Sequence, residues 1–123
     1  MNFTGIKTMA PEKAVKHFHG KERYNCAQAV LKGFEESHNV QQEKIDEFKA
    51  FGGGRADGGL CGALFAAKTL ADTPDKAQKI EDEFIEIAGA LKCREIRKIG
   101  KLPCKECVFN AASLLVKFDE QEK

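Results

Sequence analysis

Cys26, Cys61, Cys93, Cys104 and Cys107 are the residues of this 123-residue chain best suited to chemistry. A thiolate attacks disulfides and binds soft metals, and it forms where nearby donors stabilise the charge. Cys61 follows the glycine-rich run Gly52-Gly53-Gly54-Arg55-Ala56-Asp57-Gly58-Gly59 and leads into an apolar segment with helical character. Glycine lets backbone N–H groups converge on one point, and a helix start adds unpaired N–H groups and the positive end of a dipole. Cys61 is therefore expected to be the most reactive thiol, with a pKa below about 8.5. The donors would be N–H groups of the Gly58-Gly59 turn and the first helical turn, with Arg55 as a secondary contributor.

The other cysteines share this placement. Cys26 and Cys104 fall in the first turns of predicted helices, and Cys93 opens a short one. Lys92 and Arg94 flank Cys93, and Lys105 flanks Cys104. Cys104-Lys105-Glu106-Cys107 is a CxxC, but thioredoxin-type chemistry requires a βαβ context that this chain lacks. A zinc ribbon would need a second CxxC. Attached haem would need histidine where Val108 stands. Cys107 lies on an apolar helical stripe and is expected to stand apart from the other four or to pack in the core.

Other motifs carry less. His17 and His19 are two residues apart, so on a helix they point to different sides. His38 falls in a turn, and all three histidines read as surface residues. The glycine loop lacks the Gly-Lys-Ser/Thr of a phosphate-binding loop and follows a helix rather than a strand.

Helices from end to end position these residues. Pro11 starts a helix over Glu12 to His19, and Asn25 caps one from Cys26 to about Ser37. A third runs from about Gln41 to Phe51. The segment Leu60 to Ala71 is apolar almost all round, which places it inside a bundle. Thr73-Pro74 opens a helix reaching Lys92, a short helix spans Cys93 to Ile99, and Pro103 opens the last, with the stripe Cys104, Cys107, Val108, Ala111, Leu115 and Phe118. No stretch alternates like a strand. The expectation is one all-α domain over 1–123, a compact bundle of five or six helices around 60–71, with loose ends at 1–9 and 119–123.

Hydrophobic residues make up 42% and charged residues 32%, and the net charge is +1. That balance gives no bulk attraction to nucleic acid or to an anionic membrane. No apolar run is long enough for membrane insertion, and the N-terminus lacks the apolar core of a secretory signal. A cytoplasmic location is expected. Five thiols in a reducing compartment point to catalysis, redox sensing or metal binding more than to a disulfide framework.

Asn25-Cys26-Ala27-Gln28-Ala29-Val30, Phe51-Gly52-Gly53-Gly54, Cys61-Gly62-Ala63, Cys93-Arg94-Glu95, and Cys104 followed by Val108 occur in that order. In these elements the chain resembles the C_GCAxxG_C_C family of redox-active proteins, from about Asn25 to Phe118. The resemblance implies that Cys26, Cys61, Cys93 and Cys104 are the family's four cysteines. Ala66 stands where the family has glycine.

Two chemistries suit four such cysteines. In thiol–disulfide exchange, Cys61 attacks and a second cysteine resolves, while Cys93 and Cys104 form a separate dithiol. The redox partner would be a protein or a small molecule. Alternatively, Cys26, Cys61, Cys93 and Cys104 ligate an iron–sulfur cluster or zinc. Their separations of 35, 32 and 11 positions match no ferredoxin run, but a bundle can gather ligands from separate helices. A helical interaction module without enzymatic activity is the third reading.

Overall fold

The computed structural model describes residues 9–20, 23–52 and 55–120, with seven α-helices and no strand among them. The helices are α1 (Ala10–His17), α2 (Cys26–Gly33), α3 (Gln42–Glu47), α4 (Gly62–Leu70), α5 (Pro74–Ala88), α6 (Cys93–Ile99) and α7 (Cys104–Glu120). A 3-10 turn over Phe48–Phe51 extends α3. The seven correspond one for one to the helical segments read along the sequence, one more than the upper end of the five or six expected for the bundle. Of the segments expected to be loose, 1–8 and 121–123 lie outside the described residues.

The sequence signals explain most helix boundaries. The Asn25 side chain accepts from the Gln28 N–H at 2.8 Å, and the Gln28 side chain accepts from the Asn25 N–H at 3.1 Å. This reciprocal capping box satisfies two donors that a helix start leaves open. Thr73 caps α5 through the Lys76 N–H at 3.2 Å, with Pro74 at the first helical position. Gly89, at φ 88°, closes α5 in a left-handed turn well short of Lys92. Glycine adopts that conformation without the Cβ penalty other residues meet.

Helix α4 packs against α2, α5 and α7, as expected of a segment without a polar face. Gly62, Ala63, Leu64, Ala66 and Ala67 are all buried along it. Helix α7 is equally central, touching α1, α2, α4 and α5. The 3-10 turn joins α4 through Phe48, Phe51 and Phe65, whose ring centroids lie 5.0 to 5.6 Å apart. Gln28 is buried on α2, and its Nε2 donates to the Ile45 carbonyl at 3.0 Å, tying α2 to α3.

Two isolated bridges shape the cysteine-bearing end. Leu60 pairs antiparallel with Lys92, and the Cys61 N–H donates to the Leu91 carbonyl at 2.9 Å. The starts of α4 and α6 are thereby held side by side. Phe18 bridges Tyr24, and the His19 N–H donates to the Tyr24 carbonyl at 2.9 Å, so the chain after α1 lies beside the start of α2.

Candidate functional site: a thiol-lined cavity

Cys26, Cys93 and Cys104 are the first residues of α2, α6 and α7, and Cys61 is the N-cap of α4. A cavity of about 700 Å³ lies among these helix starts, and all five cysteines line it. None of the five is disulfide-bonded. Four are buried, and Cys104 is half-buried. The remaining wall combines apolar Phe18, Ile96, Leu102 and Pro103 with Asn25, His19, Arg55 and Arg97.

Close packing seats Cys26. A Cβ added at Gly62 would stand 2.7 Å from the Cys26 sulfur and 2.8 Å from the Phe51 carbonyl oxygen. The absence of a side chain at Gly62 therefore lets the Cys26 thiol lie against the first turn of α4, next to Cys61. Gly52 plays a similar part, since a Cβ there would stand 2.6 Å from the Asn25 side-chain carbon. Asn25 Nδ2 also donates to the Lys49 carbonyl at 3.0 Å, so the residue that caps α2 anchors the chain entering the glycine loop.

Cys61 departs from expectation. Its sulfur faces the N–H groups of Leu64 and Ala63 in the first turn of α4, and these lower its pKa. Two effects override them. The adjoining Cys107 sulfur is the larger, burial at 5% exposure is the next, and together they hold the Cys61 pKa well above the ordinary thiol value. The helix-start donors are present, but desolvation of the thiolate and a neighbouring sulfur win.

Cys107 does pack in the core, at 2% exposure, yet it does not stand apart. It shares the cavity, contacts Cys61 and donates to the Leu102 carbonyl at 3.7 Å.

Arg97 is the site residue that the sequence reading passed over. The sulfurs of Cys104 and Cys93 lie close enough to its guanidinium to favour its protonated form, Cys104 most strongly. Burial raises the Cys93 pKa, Arg97 opposes that, and the nearby sulfurs of Cys61, Cys104 and Cys26 raise it further. Cys93 is thus within electrostatic reach of three other thiols. The flanking cations Lys92, Arg94 and Lys105 do not line the cavity; Arg97 does, because a residue four positions after Cys93 shares its helix face. Arg55 lines the cavity but spends two donors locally, on the Gly52 carbonyl at 3.0 Å and the Lys49 carbonyl at 3.3 Å.

His19 is exposed, as expected of a surface residue, whereas His17 and His38 are half-buried. His19 lies beyond the end of α1 at φ 56°, stacks on Phe18 with centroids 3.9 Å apart, and lines the cavity. His38 is half-buried at the far side of the bundle, with its Nε2 2.9 Å from Asp119 Oδ2. Among the described residues, no three His, Cys, Asp or Glu side chains are arranged to hold a single metal ion. No helix among them is long and apolar enough to cross a membrane. Gly53 and Gly54 of the glycine loop lie outside the described residues.

An all-α bundle that draws thiols from four helix starts to one cavity defines a class of helical cysteine-cluster protein. The chain belongs to the C_GCAxxG_C_C family: the family model described as "Putative redox-active protein (C_GCAxxG_C_C)" matches residues 24–118. No curated protein and no solved structure gives a significant match.

Proposed function

We propose that the cavity is a two-electron thiol–disulfide exchange site, with Cys104 as the entering thiol and Cys93 as its resolving partner. The observation that carries this reading is the shared cavity wall, which Cys93, Arg97 and Cys104 line together. Arg97 lies four positions after Cys93 on α6, and the sulfurs of Cys104 and Cys93 are close enough to raise its pKa. A guanidinium there stabilises negative charge as either sulfur gains it. Cys104 is also the most accessible of the five thiols.

In the reducing direction, the Cys104 thiolate attacks one sulfur of a substrate disulfide and expels the other as a thiolate. The Cys93 thiolate then attacks the Cys104 sulfur of the mixed disulfide, expelling the second substrate thiolate and closing Cys93–Cys104. Two electrons pass from protein to substrate, and the two protons lost by the cysteines end on the two product thiols. A cellular dithiol restores the protein by the reverse exchange. Cys26 and Cys61, with Cys107, supply the surrounding sulfur environment and a second reservoir of thiols. The attacking role expected of Cys61 thus passes to Cys104, and the dithiol expected of Cys93 and Cys104 becomes the exchanging couple, because Cys61 is buried and its pKa is raised.

Trapping tests the assignment. Cys93→Ser should accumulate a mixed disulfide on Cys104 when treated with a small disulfide, seen as one adduct mass on the Cys104 peptide. Cys104→Ser should accumulate none. An adduct that forms instead on Cys26 or Cys61 contradicts the roles.

A second reading is iron–sulfur ligation by Cys26, Cys61, Cys93 and Cys104. Its support is the convergence of four helix starts on one cavity, since backbone N–H groups near cluster sulfurs tune such centres. Iron analysis and visible absorbance of protein purified without oxygen separate the readings: exchange predicts colourless, iron-free protein.

A further inference from the structure

The chemistry of the cavity wall points to what enters it. Arg55, Arg97 and His19 line it, and no acidic side chain does among the described residues. A guanidinium carries five N–H donors, so the two carbonyls that Arg55 contacts leave it with donors for a ligand. Alongside these cations, Phe18, Ile96, Leu102 and Pro103 supply apolar lining. A volume of about 700 Å³ lies within the range of pockets that enclose small organic molecules. Four of the five thiols are buried around this space, where a disulfide on the rigid surface of a folded protein has little access.

We infer that the cavity takes a low-molecular-weight organic disulfide bearing carboxylate groups, with its carboxylates on Arg55 and Arg97 and its aliphatic part against the apolar wall. This rests on the thiol-exchange reading and adds the substrate class. Arg55 and Arg97 bring the anion in and orient it, so that its disulfide reaches Cys104. Arg97 meets both the sulfur and the incoming charge, and it keeps the two-electron step next to a cation throughout.

The test uses the full-length reduced protein without oxygen and four disulfides: 3,3′-dithiodipropionate (anionic), bis(2-hydroxyethyl) disulfide (neutral), cystamine (cationic) and insulin. Each rate is divided by the rate for dithiothreitol under the same conditions, which removes the intrinsic reactivity of the disulfide. The expected result is a preference for the dianion over the neutral compound of at least about tenfold, the low end of what a cleft of one charge sign contributes, falling as salt is added. Arg55→Gln and Arg97→Gln should each narrow that preference. Lys105→Gln, beside Cys104 in sequence but outside the cavity wall, should leave it as it was. Equal corrected rates for anion, neutral compound and cation would overturn the substrate class while leaving thiol exchange standing. Faster reduction of insulin than of any small disulfide would overturn it in favour of a protein substrate. No reaction with any of the four would remove the exchange reading itself, and with it this inference.

Discussion

Replacing Gly62 with alanine sets two physical effects against each other. Alanine is the better helix former by about 1 kcal/mol in a helix interior, so propensity alone predicts a more stable protein. The structure predicts the reverse. The new Cβ would stand 2.7 Å from the Cys26 sulfur, 2.8 Å from the Phe51 carbonyl oxygen and 3.3 Å from the Ala27 Cβ. The carbonyl is backbone, Ala27 has no rotamer to change, and Cys26 is itself buried, so relief requires α2 and α4 to separate. Overpacking of this kind costs about 1–3 kcal/mol, and Gly62 sits at the helix start, where the propensity gain is smaller than in the interior. A net loss of about 1–2 kcal/mol is expected, which for a domain of this size lowers Tm by about 3–10 °C. Thermal unfolding followed by circular dichroism under reducing conditions measures it. Cys26 should also alkylate faster in Gly62→Ala, because its sulfur loses its seat against α4. Unchanged or raised stability would refute the argument that this glycine exists to admit the Cys26 thiol.

Asn25→Ala removes the capping box and the bond to the Lys49 carbonyl and should cost about 0.5–2 kcal/mol in denaturant unfolding. Cys61 should react more slowly than Cys26 and Cys104, two other thiols of the cavity wall, in site-resolved alkylation across pH, since its pKa is held well above the ordinary thiol value. The sign for stability follows: the unfolded thiol ionises near pH 8.5 while the folded one stays protonated, so stability is intact below that pH and declines above it until the folded pKa is reached. Cys61→Ala should flatten that alkaline decline in Tm. Asp119→Asn weakens the links from Asp119 Oδ2 to His38 and from Oδ1 to Lys76, 2.9 and 3.5 Å long, and should destabilise the protein by about 1–3 kcal/mol while leaving cysteine reactivity unchanged.

Local sequence signals match the local structure they specify. The polar cap at Asn25, the Thr73-Pro74 start and the all-round apolarity of 60–71 each report short-range physics, and the structure follows them. The placement of cysteines at helix starts was legible for the same reason. What lay outside reach depends on contacts between distant segments. The bridge between Leu60 and Lys92, which sets Cys61 beside the start of α6, has no sequence signature shorter than the fold. The same holds for the Cys61–Cys107 contact, which reverses the expected ionisation of Cys61 although its helix-start donors are in place. Helix α2 stops at Gly33 rather than near Ser37, and Gly33 lies where a Cβ would meet the Ala10 carbonyl at 2.7 Å, a crossing that periodicity within α2 cannot register. Arg97 is legible in the sequence, because its spacing of four from Cys93 places both on one helix face, whereas the cations adjacent to the cysteines in sequence do not line the cavity.

Thiol exchange in the cavity requires Cys93 and Cys104 to form a reversible two-electron couple in the folded protein. Equilibration in dithiothreitol redox buffers, followed by differential isotopic alkylation and peptide mass spectrometry, measures it directly. The expected result is one Cys93–Cys104 disulfide that appears and disappears reversibly over a two-electron transition while the helical circular dichroism signal is retained. All five cysteines remaining thiols until the protein unfolds, or pairing that never joins Cys93 to Cys104, would contradict it.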